Sequence, residues 1–264
     1  MRATDHAICL RTIDYSETSQ VVYFLTRTYG PVRLLAKGTK RPKSKSGGAI
    51  DLLSEGELTF STGKEAAETL GTLWEFTETV VHSALRTQAR RLHAALYALE
   101  LAGEMLAPGD PHPEVFDLLH NTLVRLGQAD APVPAVLAYF QWRFLRRIGL
   151  LGDMRRCVIC GTAIGQTGGQ TGGPAGGQAG AGGGGYVFSS SQGGLLCPAC
   201  QACQGDKYRL DGHALAGLAA LQAAQAGAKV PLPDKQAHAV NRLLAYHAAQ
   251  QLGKPLRMAR HAIG

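Results

Sequence analysis

Short apolar segments alternate with turn residues over the first 80 positions, which is the pattern of β-strands. The period of two predicts five strands, at residues 7–13, 21–26, 32–36, 57–61 and 70–76. Tyr29, Gly30 and Pro31 predict a tight turn between the second and third strands. Five strands in this length favour a small closed barrel such as the OB-fold, and an SH3-like barrel fits nearly as well.

After residue 80 the apolar period changes to about 3.6, the period of a helix. The pattern predicts five helices, at residues 83–107, 113–126, 133–148, 211–226 and 234–252. Pro108 and Gly109 end the first helix, and Asp211 is the N-cap of the fourth. Residues 254–260 are basic and are expected to be frayed.

The most specific chemical signal is a pair of C-x-x-C knuckles, Cys157 with Cys160 and Cys197 with Cys200. Four thiolates complete a tetrahedral shell, so the spacing predicts one structural zinc ion with no open position for catalysis. A redox role is the alternative, and Cys203 could replace a ligand because it follows Cys200 at the same spacing. We prefer Cys197 and Cys200, because residues 186–196 look like a hairpin that delivers Cys197.

These signals predict an α+β multidomain protein, with an N-terminal OB-fold-like barrel and a helical domain that carries an inserted zinc ribbon. The predicted division, in chain order, is 1–80 for the barrel, 81–152 and 206–253 for the two helical parts, 153–205 for the ribbon, and 254–264 for a basic tail. Residues 165–185 contain twelve glycines, a composition that predicts a disordered insert within the ribbon.

Charge is concentrated in the loop from residue 36 to residue 48, in a stretch without carboxylates between Glu17 and Asp51. Such a surface attracts phosphate, so we predict nucleic-acid contacts from six residues: Arg33, Lys37, Lys40, Arg41, Lys43 and Lys45. The alternative is a solvated loop without a partner. The net charge of +7 arises mainly in the C-terminal half, and the arginines at 143–156 are a candidate extension of the basic surface.

Barrels that bind single strands combine cationic loops with exposed rings on which bases stack. Phe24 and Phe60 are expected in the barrel core, whereas Tyr15 in the first loop is the better stacking candidate. No Walker loop, nucleophile elbow or paired-carboxylate metal site is found, so we expect no enzymatic activity. Neither a signal peptide nor a membrane span is visible, and a cytoplasmic location is expected.

An ordered set of motifs resembles the RecO family of bacterial recombination mediators. These are D-Y-S-E-T-S from residue 14, V-V-Y-F-L-T, Y-G, A-K-G before the basic loop, C-V-I-C-G, and G-L-L-C-x-x-C. They cover nearly the whole chain, and the glycine-rich insert and Cys203 depart from the pattern. The resemblance implies an OB-fold, a helical domain and, as in many members, a four-cysteine zinc site.

The resemblance also implies a function in the RecF pathway of DNA repair and homologous recombination. Members bind single- and double-stranded DNA and anneal complementary strands. They act with RecR and with the C-terminal tail of single-stranded-DNA-binding protein so that RecA can load, which implies a nucleoid-associated protein. Five of the six basic residues above match the family's cationic loop, and Arg33 lies beside it. All six are expected to contact phosphates without reading sequence.

Two other classes of function remain open from the residues. A sequence-specific regulator would use the zinc ribbon and would prefer one duplex over random DNA by orders of magnitude. An interaction scaffold would capture a partner peptide with its helices and would not bind labelled single strands at moderate salt.

Overall fold

The computed structural model of the protein describes residues 2–40, 48–62, 70–164, 185–224 and 231–264. The chain forms two compact units. The first comprises Met1–Phe140 together with the C-terminal Leu256–Gly264, and the second comprises Gln141–Pro255. In the described ranges, no helix is long and apolar enough to cross a membrane.

The first unit contains a closed barrel of five strands, as the alternating pattern predicted. The strands are β1 (Arg2–Asp14), β2 (Gln20–Thr26), β3 (Gly30–Ala36), β4 (Glu55–Ser61) and β5 (Gly71–Val80). Their order around the barrel is β1-β2-β3-β5-β4, in which β3 and β5 are parallel and the other pairs are antiparallel. This small five-stranded closed barrel has OB-fold architecture and confirms the predicted fold class.

The barrel interior is filled by the inward-facing residues of every strand. Val22 and Phe24 of β2, Leu34 of β3, and Leu58 and Phe60 of β4 are all essentially inaccessible to solvent. Phe24 and Phe60 are therefore core residues, as predicted. Gly30 is required at the turn before β3, because its φ is +70° and a Cβ would lie 2.1 Å from the carbonyl oxygen of Asp110.

Strand β1 begins five residues earlier than the pattern predicted, because it closes the barrel by pairing with two neighbours. Its first half pairs with β4 and its second half with β2. A register shift between Cys9 and Arg11 marks a bulge in the second half. A bulge bends a strand and increases its twist, which a strand shared by both sides of a small barrel requires.

Helical segments follow the barrel: a 3-10 turn at Ser83–Thr87, then α1 (Ala89–Met105), α2 (Pro113–Gly127) and α3 (Val133–Arg147). The predicted single helix over 83–107 is wrong, because the backbone of Gln88 is extended (φ −139°, ψ 123°). The Gln88 carbonyl accepts hydrogen bonds from the amides of Arg91 and Leu92, so α1 starts afresh there. The preceding turn buries Leu85 completely.

The C-terminal segment is ordered, contrary to the expected fraying of residues 254–260. Each carboxylate oxygen of Glu100 in α1 accepts a hydrogen bond at 2.8 Å, one from the amide of Arg257 and one from that of Met258. A short helix, α6 (Ala259–Ala262), follows. The basic composition gave no sign of this contact, because its acceptor lies far away in the sequence.

The second unit combines a three-stranded ribbon with two further helices. The strands are β6 (Val187–Ser189), β7 (Gly194–Leu196) and β8 (Tyr208–Arg209), and a 3-10 turn at Pro198–Cys203 follows β7. Asp211 caps α4 (Gly212–Ala223) by accepting a hydrogen bond from the amide of Ala214 at 2.7 Å. Helix α4 ends three residues earlier than predicted because Ala224 is extended. Helix α5 (Asp234–Leu252) has the predicted bounds.

Candidate nucleic-acid interface and metal centre

A row of three polar side chains crosses the outer face of the barrel on β1, β2 and β3. Tyr23 of β2 is paired in register with Arg11 of β1 on one side and with Arg33 of β3 on the other. The Arg11 guanidinium carbon lies 5.6 Å from the centroid of the Tyr23 ring, within cation–π range. Both arginines are exposed and Tyr23 is half-buried. We call Arg11, Tyr23 and Arg33 the Arg–Tyr–Arg row.

The Arg–Tyr–Arg row carries uncompensated positive charge. In the described part of the chain, neither Arg11 nor Arg33 has an ion-pair partner. The adjacent row of the same face is apolar and consists of Ile13, Val21 and Leu35. Two exposed cations beside a half-buried ring and an apolar strip suit a nucleic-acid strand, with phosphates on the cations and bases on the ring.

The predicted basic loop is only partly visible beside this row. Lys37 is exposed and directly follows β3, the strand that carries Arg33. Lys40 is half-buried, and its ammonium pairs with a carboxylate oxygen of Asp14 at 2.6 Å. The other three predicted contacts lie outside the described residues: Arg41, Lys43 and Lys45. The six predicted contacts stay a prediction, and the structure groups only Arg33 and Lys37 with the exposed face.

Arginines elsewhere on the chain are engaged locally. Arg27 forms a two-pronged salt bridge with Asp117 of α2, at 2.9 and 3.0 Å. In the second unit, Arg155 pairs with Asp153, and Arg146 donates a hydrogen bond to the side chain of Gln222 at 2.6 Å. Within the predicted extension at 143–156, the carboxylate of Asp153 offsets the charge of Arg155, and Gln222 occupies a donor of Arg146 without removing its charge.

Four cysteines come together in the second unit: Cys157, Cys160, Cys197 and Cys200. Their sulfur atoms all lie within 4.8 Å of one another, and the Cys160 and Cys197 sulfurs are 3.6 Å apart. A tetrahedral zinc shell with bonds of about 2.3 Å requires sulfur–sulfur distances of about 3.8 Å. The site therefore fits a tetrahedral metal ion. We call these four residues the metal site; the side chain of Cys203 lies outside the described part.

Local hydrogen bonds shape the first knuckle of the metal site. The amide of Gly161, at φ +73°, donates to the Cys157 carbonyl at 2.9 Å, and the Cys157 amide donates to the Thr162 carbonyl at 2.8 Å. Hydrogen bonding from the Thr162 side chain is the main reason that the pKa of Cys160 is lowered to about 6. Metal ions bind the thiolate form, so the lowered pKa favours Cys160 as a ligand at neutral pH. Hydrogen bonding with Cys160 and Cys197 instead raises the pKa of Cys200 to about 12.

A buried serine–histidine pair fastens the ribbon to its helix within the second unit. Ser190, at the turn after β6, hydrogen-bonds to Nδ1 of His247 in α5 at 2.6 Å. The opposite ring nitrogen donates to the carbonyl of Leu150 at 2.9 Å, which makes Nδ1 the acceptor for Ser190. His247 is fully buried, and this burial lowers its pKa. The pair holds β6 and β7, which deliver Cys197, in a fixed position.

A second polar cluster lies in the first unit, where three histidines, two of them partly exposed, meet the buried carboxylate of Glu55. His6 of β1 and His120 of α2 bond to one oxygen at 3.1 and 2.7 Å, and His82 bonds to the other at 2.8 Å. Burial by itself would raise the pKa of Glu55, but the hydrogen bonds from His82, His120 and His6 outweigh it and the pKa is lowered. We call these four residues the carboxylate cluster. It joins the barrel to α2.

Comparison with known proteins covers almost the whole chain. The family Recombination protein O N terminal matches residues 1–76, and Recombination protein O C terminal matches residues 86–260. The chain belongs to the RecO family. It is 29% identical to the DNA repair protein RecO of Myxococcus xanthus, over 97% of this chain and 95% of the relative. It is 32% identical to that of Anaeromyxobacter sp. strain Fw109-5, over 96% of this chain and 92% of the relative.

The RecO matches assign the chain to a family of DNA repair proteins, as the ordered motifs implied. The N-terminal match covers the barrel except for the last four residues of β5, and the metal site lies inside the C-terminal match. Two residues of the Arg–Tyr–Arg row were missed by sequence reasoning. Arg11 and Tyr23 carry no spacing signal in the sequence, and only the strand register brings them beside Arg33.

Proposed function

We propose that this RecO protein is a non-enzymatic recombination mediator that binds DNA on the outer face of β1, β2 and β3. The observation that carries the proposal is the Arg–Tyr–Arg row, which offers two cations without an ion-pair partner in the described residues and a ring between them. The arginines and Lys37 take phosphates, and the ring and apolar strip take bases. Binding of this kind supplies affinity and little sequence preference.

On this proposal, annealing follows from electrostatics. Two complementary strands repel each other through their phosphates, and a basic surface that binds both lowers the repulsion between them. The protein would act with RecR, and with the C-terminal tail of single-stranded-DNA-binding protein, so that RecA loads onto coated strands. It would do so in the cytoplasm, at the nucleoid. The cysteine site would hold one structural zinc ion, since four sulfur ligands leave no open position.

Titration of a labelled single strand at several salt concentrations tests the DNA interface. The double variant Arg33→Ala/Lys37→Ala removes two phosphate contacts, so the slope of log affinity against log salt becomes shallower by about 1.4. Arg27→Gln is the matched control, because Arg27 pairs with Asp117 and contributes no contact on this face. An unchanged slope in the double variant contradicts the assignment.

Annealing of complementary oligonucleotides coated with single-stranded-DNA-binding protein tests the mediator role. We expect the wild-type protein to accelerate annealing and the Arg33→Ala/Lys37→Ala protein to do so much less. Failure of the wild-type protein to accelerate annealing would contradict the mediator role and leave the binding assignment standing.

A further inference from the structure

A cavity of about 620 Å³ opens beside the Arg–Tyr–Arg row, between the barrel and helix α1. All of its lining residues belong to the first unit. Its wall on the barrel side includes Leu10, and its wall on the helical side includes Leu96, Leu99 and Leu106. Pockets for small organic groups have volumes of about 300–1,000 Å³ and are lined mainly by apolar side chains. The cavity therefore has the size and lining of a site for a small, mainly uncharged organic group.

The polar residues of the cavity are divided between two sides. Arg11, Tyr23 and Arg33 line the barrel side. Glu100 and Glu104 line the helical side together with Arg257, so two carboxylates face one cation there and that side remains net negative. Both oxygens of Glu100 accept hydrogen bonds from backbone amides, so this carboxylate has a structural role. An anionic chain would stay on the arginine side, away from the two carboxylates, and present an uncharged group to the apolar interior.

We infer that the cavity receives an unpaired base of a single strand whose phosphates lie on Arg11 and Arg33. A nucleotide matches this division of charge, because its phosphate is anionic and its base is uncharged, with flat faces that pack against apolar and aromatic side chains. Tyr23 lies between the two arginines, where a base leaving the row meets an aromatic ring. Bases in a duplex are paired and stacked and cannot enter. The inference rests on the proposed DNA interface and adds a reason for that interface to prefer single strands.

Gly103 of α1 is a position at which a single substitution can fill the cavity. It is exposed and lines the cavity, and a Cβ at this position would lie 3.6 Å from the Leu10 side chain, an ordinary contact. Gly103→Leu would thus place a side chain in the cavity without a backbone clash, and it replaces a residue that weakens a helix. Gly103→Ala adds only one methyl group and is the matched control. Leu96→Phe fills the cavity from another position.

The assay compares a single strand of thymidines with an abasic strand of equal length and charge. Base–aromatic contacts contribute enough that wild-type protein and Gly103→Ala should bind the thymidine strand at least about fivefold more tightly. Gly103→Leu and Leu96→Phe should bind both strands equally, at the affinity of the abasic strand. Abasic binding retained in the filled variants would show that the phosphate contacts are intact.

A wild-type preference for thymidines that persists in both filled variants would overturn the assignment of the base to this cavity, and the DNA interface would stand. The cavity would then be free for an apolar peptide of a protein partner. Equal binding of the two strands by the wild-type protein would also overturn it. If the wild-type protein binds neither the thymidine strand nor the abasic strand, both the base site and the proposed DNA interface are overturned.

Discussion

The barrel and the ribbon reach a fixed structure by different means. The barrel core contains twelve buried residues, eleven of them other than cysteine, and its closed sheet leaves no free edge. The ribbon cluster contains four buried residues, of which two, Cys157 and Cys197, are cysteines of the metal site. Apolar burial therefore suffices for the barrel, whereas half of the small ribbon cluster is cysteine, so we expect the ribbon to depend on a metal cross-link for its order.

The barrel and the ribbon also differ in the roles that their structures allow. The barrel can leave its outer face open to a ligand because its stability comes from the interior and from the carboxylate cluster. In the ribbon the candidate metal ligands face one another, and their four sulfur atoms lie close together. A metal there stabilises the strands and has no open position for a substrate.

The largest predicted effect is the loss of metal from Cys157→Ser protein. Binding of structural zinc contributes about 10 kcal/mol or more at neutral pH, so the ribbon should lose its order when one thiolate is removed. Metal analysis of the purified full-length protein should show no bound ion. Amide hydrogen exchange should lose protection at Val187–Ser189 and Gly194–Leu196, while Gln20–Thr26 in the barrel stays protected.

Cys203→Ser is the control for this ligand set, because Cys203 has the same spacing from Cys200 as Cys200 has from Cys197. It should retain one ion per chain. Metal loss from Cys203→Ser together with metal retained by Cys157→Ser would refute the ligand assignment. Loss of protection in the barrel as well would remove the distinction between the two regions.

The barrel and the metal site could be predicted because their signals are local. Alternation along single strands marks the interior residues such as Phe24 and Phe60, and two C-x-x-C pairs mark the four sulfur ligands. The helix bounds were less predictable: the apolar period continues through Gln88, whose extended backbone divides the predicted helix. The apolar period indicates which residues are buried, but it does not indicate where a helix is interrupted.

Contacts between distant residues had no signal in the sequence. His6, His82 and His120 are separated from Glu55 by 49, 27 and 65 positions, and each looks like an isolated polar residue. The partnership of Arg11 with Tyr23 depends on the register of β1 and β2, which includes a bulge. A single sequence cannot fix such a register, because shifting it by one residue leaves the composition unchanged.

Glu55→Gln should cause the next largest effect, a loss of about 2 kcal/mol in the stability of the barrel unit. The amide cannot accept hydrogen bonds from three histidines with the strength of a carboxylate. Because the folded pKa of Glu55 is lowered, its contribution is present above the unfolded pKa of about 4.3 and is lost as the pH falls through the folded value. Urea unfolding followed by Trp74 fluorescence, at pH 7 and at pH 3, measures both effects.

Glu57→Gln is the control for this cluster, since Glu57 lies two residues further along β4 and is exposed. The free energy of unfolding of the Glu57→Gln protein should stay within about 0.5 kcal/mol of the wild-type value. Equal losses in the two glutamine variants would contradict a special role for the buried carboxylate.

In the ribbon unit, Ser190→Ala should cost about 1.5 kcal/mol, because it leaves Nδ1 of buried His247 without a hydrogen-bond donor. Burial lowers the pKa of His247, so the unfolded chain binds a proton that the folded chain does not. Stability of this unit should therefore fall as the pH drops below about 6.5. Trp142 fluorescence in a Trp74→Phe background reports on this unit. His247→Gln should flatten the pH dependence, and exposed His213→Gln should not.

The smallest effect is expected from Arg2→Gln, on the side of the barrel away from the Arg–Tyr–Arg row. Arg2 lies 3.9 Å from the ring centroid of Trp74, which is 45% exposed. A cation–π contact in water contributes about 0.5 kcal/mol, so urea unfolding should change little. Glu75 follows Trp74 in β5 and adds a negative charge to this strand, and Arg2 lies outside the Arg–Tyr–Arg row, so single-strand affinity should stay unchanged. A large loss of stability would mean that the barrel depends on contacts at its surface as well as on its apolar interior. The contrast between the barrel and the ribbon would then be smaller than the size of the barrel core suggests.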